Sequence, residues 1–191
     1  RGAGGVLACL QGGHVYPLRA RRPAARRLGA HPAVLTFDHH PDEILAGAAP
    51  PLLCDPDERL ARLERDGVAV TIVEHFDEEL RRTTYDAFVA RIRARTRLAG
   101  FLMTPDAAFG HERRGTPQTL AALGESGGFG VVVVPPFDLA GRPVRSTEIR
   151  AAIAVGDLAA ARALLGRRVA VTGVAAEWSD DGREVALRFP L

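Results

Sequence analysis

The sequence contains no lysine, only two cysteines and no long apolar segment. Two cysteines are too few for a disulfide framework, and Cys9 and Cys54 lie in or beside apolar segments, which predicts buried free thiols of a cytoplasmic protein. No apolar run approaches the ~20 residues that a spanning helix needs, so we expect no membrane partner. The composition, 47% hydrophobic and 25% charged among 191 residues, is typical of one globular domain with a small appendage.

Because lysine is absent, arginine supplies all 25 basic residues, and with 23 acidic residues the formal net charge is only +2. So small an excess argues against a nucleic-acid partner. The charge is unevenly distributed, since six arginines and no acidic residue precede Asp38. Two interpretations stay open for this segment: an end that attracts phosphate, or the solvated face of an arginine-rich helix.

Short apolar segments alternate with amphipathic ones along the chain. Near-continuous apolar runs of this length are typical of strands buried on both faces of a parallel sheet. The alternation predicts a doubly wound α/β fold, a five-stranded parallel sheet with helices on both faces, whose ligands bind beyond the carboxyl ends of the strands. Residues 169–178 and 183–189 instead predict a short antiparallel β-hairpin. The predicted parallel strands are residues 5–10, 33–37, 68–73, 99–103 and 129–134.

Capping residues mark the helix starts. Asp55 followed by Pro56 and further acids is the strongest signal, because it combines a capping side chain, a proline at the first position and negative charge at the positive end of the helix dipole. Ser146 is predicted to cap a short helix, and Asp157 the next one, which Gly166 ends. Two more helices are predicted to begin after Thr84 and Thr116.

The turn GGHVYPL at residues 12–18 is the first candidate site. It lies between the first strand and the first helix, where open α/β sheets bind ligands. Unpaired amides of a helix start favour an anion, and His14 can donate to a phosphate oxygen. The alternative is a turn histidine satisfied by the backbone.

The segment TFDHHP at residues 36–41 is the second candidate. Asp38, His39 and His40 are close enough in sequence to suggest a metal site. Adjacent side chains on an extended segment point to opposite faces, however, so a shared metal needs a sharp turn. We therefore predict no metal site here and expect one histidine to face a ligand or a packing neighbour.

Two further segments bring polar groups together. In VRSTEIR, residues 144–150, hydroxyls, helix amides and a guanidinium converge, which suits a polyphosphate; a capping box is the alternative. The loop PDAAFGHERRG, residues 105–115, carries a histidine and two arginines that suit phosphate. An exposed loop whose charges have no role in binding is an equally good interpretation of the same residues.

These segments together resemble the adenylyltransferase module of bifunctional bacterial FAD synthetases, which combine riboflavin kinase and FMN adenylyltransferase in one chain. VLTFDHHP resembles that family's LTFDPHP, RSTEIR its SSTxIR, and AFGHERRG its FxFGxxRxG flavin-side loop. PPLLCDPDERLARLERDGV and IAVGDLAAARALLGRR also have counterparts in the same order. The resemblance implies a Rossmann-like nucleotidyltransferase fold and Mg²⁺-dependent transfer of AMP from ATP to the FMN phosphate, releasing pyrophosphate.

The resemblance also implies site residues, motif by motif. The histidine of the 12–18 turn corresponds to the first histidine of the family's GxHxGH, and the RSTEIR residues correspond to its polyphosphate-binding motif. No protein residue is implied as a metal ligand, and Mg²⁺ accompanies ATP. The implied catalytic residues are His14, Asp38 and His40, and the implied cofactor-binding residues are Gly12, Phe109, Gly110, Ser146, Thr147 and Arg150.

The sequence departs from the family where ATP is expected to bind. GxHxGH reads GGHVYP here, so Tyr16 replaces a glycine that allows close approach of a nucleotide, and Pro17 replaces the second histidine and offers neither imidazole nor N–H. Losing one such donor costs about 10²–10³ in rate. Arg145 replaces the first serine of SSTxIR. We therefore expect weakened or altered ATP binding.

Three hypotheses follow for a small-molecule ligand: a slow FMN adenylyltransferase, a homologue that binds a flavin or nucleotide without chemistry, and an enzyme repurposed for another aromatic metabolite. In the third hypothesis, the side chains of His14, Asp38, His39 and His40 supply general acid–base chemistry. Residues 1–166 are the expected adenylyltransferase-like domain. Residues 167–191 resemble only the opening strands of the kinase module, so riboflavin phosphorylation is not expected. No oligomeric state is predicted.

Overall fold

A computed structural model describes residues 5–9, 23, 25–26, 28–135, 138–170, 174–179, 181 and 185–188. Five strands form its central sheet: β1 (Gly5–Cys9), β2 (His31–Phe37), β3 (Val70–Glu74), β4 (Leu98–Met103) and β5 (Gly130–Val133). All pair in parallel, in the order β3-β2-β1-β4-β5. The chain winds outward from β1 to β3 and then returns to the other side of β1, so the winding reverses between β1 and β4. Open α/β sheets bind ligands at such a reversal.

Helices fill the connections from β2 to β3, from β3 to β4 and from β4 to β5, and the predicted α/β class is confirmed. Two short antiparallel pairs follow the parallel sheet and form separate sheets. None of the described helices is long and apolar enough to cross a membrane. The helices are α1 (Asp42–Leu45), α2 (Pro56–Arg65), α3 (Glu78–Arg82), α4 (Tyr85–Arg95), α5 (Pro117–Gly127), α6 (Ser146–Ala154) and α7 (Leu158–Leu165), with a 3₁₀ turn at His111–Arg113, and the paired strands are β6 (Asp138–Leu139), β7 (Arg142–Pro143), β8 (Val174–Trp178) and β9 (Val185–Arg188).

The capping signals predict most helix starts correctly. Asp55 and Asp157 each accept a first-turn backbone N–H at 2.9 Å, and Gly166 ends α7 with a left-handed φ of 70°. Thr116 forms a reciprocal capping box with the side chain of Thr119. These local bonds fix where each helix enters and leaves the sheet.

The predicted cap at Ser146 is wrong by one residue. Arg145 holds the N-cap position with extended φ and ψ of −125° and 150°, and Ser146 is the first helical residue. A serine is compatible with either position, and here the extended chain that leaves β7 continues through Arg145. Ser146 and Thr147 therefore occupy the first turn of α6, at the positive end of its helix dipole.

Strand β2 is buried on both faces and organises the core. Leu35 lies in a cluster with Val89 of α4 and Leu120 of α5, whereas Val34 packs on the other face against Leu63 of α2. Burying one such side chain stabilises the fold by about 1.5–3 kcal/mol. A separate cluster packs α6 and α7 against the segment that precedes α2, and its buried members are Leu53, Val144, Ile149, Leu164 and Leu165.

Candidate functional site

The carboxyl edge of the sheet carries four of the sequence-predicted site residues, Asp38, His40, Phe109 and Gly110. In a parallel sheet the segments that follow the strands emerge at the same edge, so residues 38–41 after β2, 75–77 after β3 and 104–116 after β4 lie there together. Residues 10–22, which follow β1, lie outside the described residues. The predictions for Gly12 and His14 therefore concern a part of the chain that the structure does not describe.

Asp38 is bound by two histidines at this edge. Its Oδ1 lies 2.6 Å from His39 Nδ1, and its Oδ2 lies 2.6 Å from His75 Nδ1. Oδ1 also accepts the backbone N–H of His39 at 2.9 Å. The two imidazole rings lie 4.9 Å apart between centroids. A carboxylate with two imidazole partners is thus the chemical centre of the described edge.

Electrostatics favour the charged forms of Asp38 and His75. Partial desolvation opposes ionisation of Asp38, but the hydrogen bond from His75 and the backbone N–H of His39 outweigh it and hold the pKa of that carboxyl below its usual value. The hydrogen bond with Asp38, and then its charge, raise the pKa of the exposed His75. Asp38 is therefore an anion near neutral pH, with a neighbour that readily carries a proton.

His40 takes a separate position from Asp38. Its Nδ1 accepts the backbone N–H of Asp42 at 3.1 Å, which ties the ring to the start of α1. Among the described contacts, Asp38 binds His39 and His75, whereas the His40 ring binds the backbone at the start of α1. An Nδ1 that accepts leaves the proton of a neutral ring on Nε2, so His40 offers a donor from that nitrogen.

Arg59 of α2 holds the end of β2, directly before the Asp38 turn. Its Nη2 donates to the carbonyl of Phe37, the last residue of β2, at 2.7 Å, and its Nε is buried without a partner among the described residues. Desolvation lowers the pKa of this guanidinium, and the charges of Asp38 and Asp55 oppose that shift. Arg59 therefore holds the end of β2, and so the base of the Asp38 turn, against α2.

The loop that carries Phe109 and Gly110 is packed against α4. The Phe109 ring lies 5.6 Å from Phe88 and 5.9 Å from Phe101, and its backbone pairs with Gly115. Gly110 has φ 74°, and a Cβ on it would lie 2.6 Å from the backbone nitrogen of Tyr85. Both residues thus shape the loop through packing, while their contact with a flavin stays a prediction.

Arg150 connects α6 with the segment before α2. Its Nε donates to the carbonyl of Pro51 at 2.8 Å, which uses one of the five donors of a guanidinium. Arg167 holds the same segment, through an Nη2 bond of 2.8 Å to the carbonyl of Leu53. Desolvation lowers the pKa of Arg150, and the charge of Asp42 opposes that shift. Asp42 begins α1, so Arg150 is electrostatically coupled to the turn at residues 38–41.

Cys54 is buried, as the sequence predicts, and it is a free thiol. Its Sγ donates to Glu58 Oε2 at 3.2 Å. Burial and the neighbouring carboxylate raise the pKa of the thiol from 9.0 to about 11. Because the thiolate is the nucleophile, this site is chemically quiet near neutral pH.

We expect iodoacetamide to alkylate Cys54 at pH 8 at least ~100-fold more slowly in the folded chain than in urea, because a shift of two pKa units lowers the thiolate fraction about 100-fold. Mass spectrometry of the Cys54 peptide measures the rate. Well below pH 9 this thiol is protonated in both the folded and the unfolded chain, so the stability that it contributes falls as pH rises through 9 to about 11. Equal alkylation rates in the folded chain and in urea would contradict the burial of this thiol.

A sequence profile for FAD synthetase matches residues 10–148, which include the turn at residues 38–41, the packed loop of Phe109 and Gly110, and the start of α6. The chain belongs to the FAD synthetase family. The bifunctional riboflavin kinase/FMN adenylyltransferase of Haemophilus influenzae is 32% identical over 93% of this chain and 58% of its own length. The Listeria monocytogenes protein of the same name is 28% identical, over 93% of this chain and 56% of its length. The chain therefore spans somewhat more than half the length of the curated relatives it matches.

A solved structure has the same overall arrangement as this FAD synthetase family member. It is described as a macrolide-efflux protein from Streptococcus pneumoniae, and it superimposes with a TM-score of 0.79 at 25% identity. The match covers 99% of this chain and 73% of that one. This similarity supports the α/β fold.

Sequence reasoning missed His75 as a site residue. It directly follows Glu74, the last residue of β3, just as Asp38 directly follows Phe37, the last residue of β2. Phe37 and Glu74 are cross-strand partners, so the next residue of each strand emerges side by side. The position of a histidine immediately after a second predicted strand was the available signal.

Proposed function

We propose that this member of the FAD synthetase family transfers AMP from MgATP to FMN, giving FAD and pyrophosphate. A phosphate oxygen of FMN forms a bond to the α-phosphorus of ATP, and the bond from that phosphorus to the α,β-bridging oxygen breaks. Mg²⁺ on the ATP phosphates neutralises charge on the departing pyrophosphate. The observation that carries the proposal is the FAD synthetase profile over residues 10–148.

The start of α6 suits the ATP phosphates. Ser146 and Thr147 stand in the first turn of this nine-residue helix, where the helix dipole favours an anion. Arg150 lies one turn further, and among the described residues its guanidinium donates only through Nε, to Pro51, so other donors remain for the phosphates. We propose that these three side chains hold the polyphosphate in line with the attacking FMN oxygen. Positioning and charge neutralisation are the main contributions that a protein makes to such a displacement.

The flavin is proposed to bind over the turn of Asp38 and His40 and the loop of Phe109 and Gly110. The two segments follow β2 and β4, which flank β1 on either side, so a planar ligand above β1 reaches both. His40 has an Nε2 proton to donate, and Asp38 has an ionised carboxylate. We extend the proposal to Gly12 and His14 as phosphate contacts on the motif alone.

For residues 1–166 we propose the nucleotidyltransferase variant of the α/β fold, and for residues 167–191 the beginning of a riboflavin-kinase-like β module. The antiparallel pairing of β8 with β9, in a sheet separate from the parallel one, supports this division.

A second candidate is binding or conversion of another aromatic, flavin-like metabolite without adenylyl transfer. Two features favour it: Tyr16 and Pro17 occupy positions of the family's GxHxGH turn, and His39 occupies the proline position of LTFDPHP. The first change weakens the ATP side, and the second adds an imidazole to the flavin side.

The two candidates are separated by incubating stoichiometric protein with FMN and MgATP for several hours and quantifying FAD and pyrophosphate chromatographically. We expect the two products in equal amounts, and neither when EDTA removes Mg²⁺. If FAD fails to form, adenylyl transfer is contradicted. Quenching of FMN fluorescence by the same preparation would then favour the second candidate, and absence of quenching would contradict flavin binding by either.

A further inference from the structure

We propose that Asp38, His39 and His75 form a binding site for a divalent transition-metal ion of the zinc type. One ligand atom from each of the three side chains lies within 4.8 Å of the other two. The site lies on the outer part of the carboxyl edge, across the ends of β2 and β3, and it uses a residue outside the motifs that carry the proposed adenylyl transfer.

The ring of His39 gives the strongest argument for a cation. Its Nε2 lies 2.9 Å from the carbonyl oxygen of Phe76, and its Nδ1 lies 2.6 Å from Asp38 Oδ1. A carbonyl oxygen only accepts, so Nε2 carries a proton and donates it. The Nδ1 of a neutral ring then directs its lone pair at a carboxylate oxygen. Two acceptors at this distance repel each other unless a proton lies between them, and a metal ion bound to both atoms would take the place of that proton.

The contact with Phe76 also matches the surroundings of a metal-bound histidine. Such a histidine typically donates its second ring nitrogen to a backbone carbonyl or a carboxylate, which fixes the tautomer and the orientation of the ring. His39 is only 24% exposed on its side chain, so the ring is held in this orientation by its surroundings. The Nδ1 lone pair is thereby directed to the carboxylate that would share the metal.

The chemical nature of the ligands selects the metal. Imidazole nitrogens suit Zn²⁺, Co²⁺, Ni²⁺ and Fe²⁺, and one carboxylate completes a set of three protein ligands. Mg²⁺ prefers oxygen ligands and is disfavoured by two imidazoles. Three protein ligands leave at least one position for water or an anionic ligand, as in open metal sites.

The backbone already provides the required proximity. Phe37 and Glu74 pair across β2 and β3, which places Asp38 and His75 next to each other at the strand ends. The side chain of His75 is 68% exposed, so its ring can turn towards the other two ligands at little cost. His39, the third ligand, stands where the family motif LTFDPHP has proline, so the complete set is a feature of this chain.

The test is isothermal titration with Zn²⁺ alone, on the full chain prepared without a histidine tag and in the absence of FMN and ATP. We expect one Zn²⁺ per chain, and visible absorption bands of a bound ion when Co²⁺ replaces Zn²⁺. Loss of even an outer-shell partner of a metal ligand typically lowers affinity about 10–100-fold, so we expect loss of a ligand itself, in His39→Ala or His75→Ala, to weaken Zn²⁺ binding at least about tenfold. Circular dichroism checks that each variant folds, and His75→Gln serves as a second variant that keeps side-chain bulk.

Two control variants give the test its specificity. His31→Ala removes an exposed histidine at the start of β2, at the opposite edge of the sheet, and should leave Zn²⁺ affinity unchanged. His40→Ala removes the histidine next to the proposed set and should also have little effect. Failure of the parent protein to bind Zn²⁺ overturns the proposal, and so does a loss in either control equal to that in His75→Ala. Because no flavin or nucleotide is present, these outcomes are independent of whether FAD forms.

Discussion

Replacing Arg150 with alanine is expected to lower the rate of FAD formation by about 10²–10³, the usual cost of losing one donor to charge that develops in the transition state. The residue stands one turn into α6, where its charge is proposed to reach the ATP polyphosphate. An uncharged methyl group provides neither the charge nor the planar donor set of a guanidinium. Initial rates of FAD formation at saturating FMN, measured over a range of MgATP concentrations, give the change in kcat and KM.

The control for this prediction is Arg167→Ala. Arg150 and Arg167 both donate to carbonyls of the segment before α2, at 2.8 Å to Pro51 and 2.8 Å to Leu53. If Arg150 only supports that segment, the two variants will lose stability and activity alike. A catalytic role instead predicts a large loss of rate for Arg150→Ala alone, with similar thermal midpoints for the two variants. Equal rates in the Arg150 variant and the parent protein would contradict its proposed role.

The parallel strands could be predicted because each is a short run with few polar residues. In β2, Ala33, Val34, Leu35 and Phe37 are all buried, and a segment so short and apolar on both faces fits a central strand better than a helix. The β6–β7 pair was missed, because strands of two residues carry no periodicity. Its turn requires left-handed φ at Ala140, and alanine is not a residue that indicates such a turn.

The candidate site was predictable only in part. The sequence drew attention to Asp38, His39 and His40 because they are neighbours in the chain, and extended geometry argued against a shared function. The structure gives Asp38 a partner 37 residues away, His75, and this pairing depends on the register of β2 against β3. Register is a tertiary property, set by which side chains pack on the faces of the sheet, so local spacing does not contain it.

The cap of α6 likewise depends on more than local residue type. Residue type placed a helix start correctly to within one position, but the choice between Arg145 and Ser146 as the cap depended on where the incoming extended chain ends. For phosphate binding this difference matters, because it moves the Ser146 side chain from the cap into the first turn of the helix.

Gly100→Ala is expected to be the most damaging conservative change in the sheet. Gly100 lies in β4, and a Cβ there would lie 2.6 Å from the backbone oxygen of Gly130 in β5 and 3.1 Å from Leu28 Cδ1. The first contact is with backbone of the paired strand, so relief requires β4 and β5 to separate. Overpacking of this kind costs about 1–3 kcal/mol. A thermal midpoint falls by about 2–4 °C per kcal/mol in a chain of this size, so we expect a drop of roughly 2–12 °C.

The matched control for this change is its own cross-strand partner. Gly130 pairs with Gly100 in register, yet a Cβ on Gly130 would meet nothing closer than Leu28 Cδ2 at 3.9 Å. Glycine within a strand is less favourable than alanine by about 0.5–1 kcal/mol, so Gly130→Ala should leave the thermal midpoint unchanged or raise it slightly. Differential scanning calorimetry of both variants measures the contrast. Similar losses for the two would mean that any side chain at this strand pair is damaging, and that the close approach of the Gly130 carbonyl to Gly100 is not the cause.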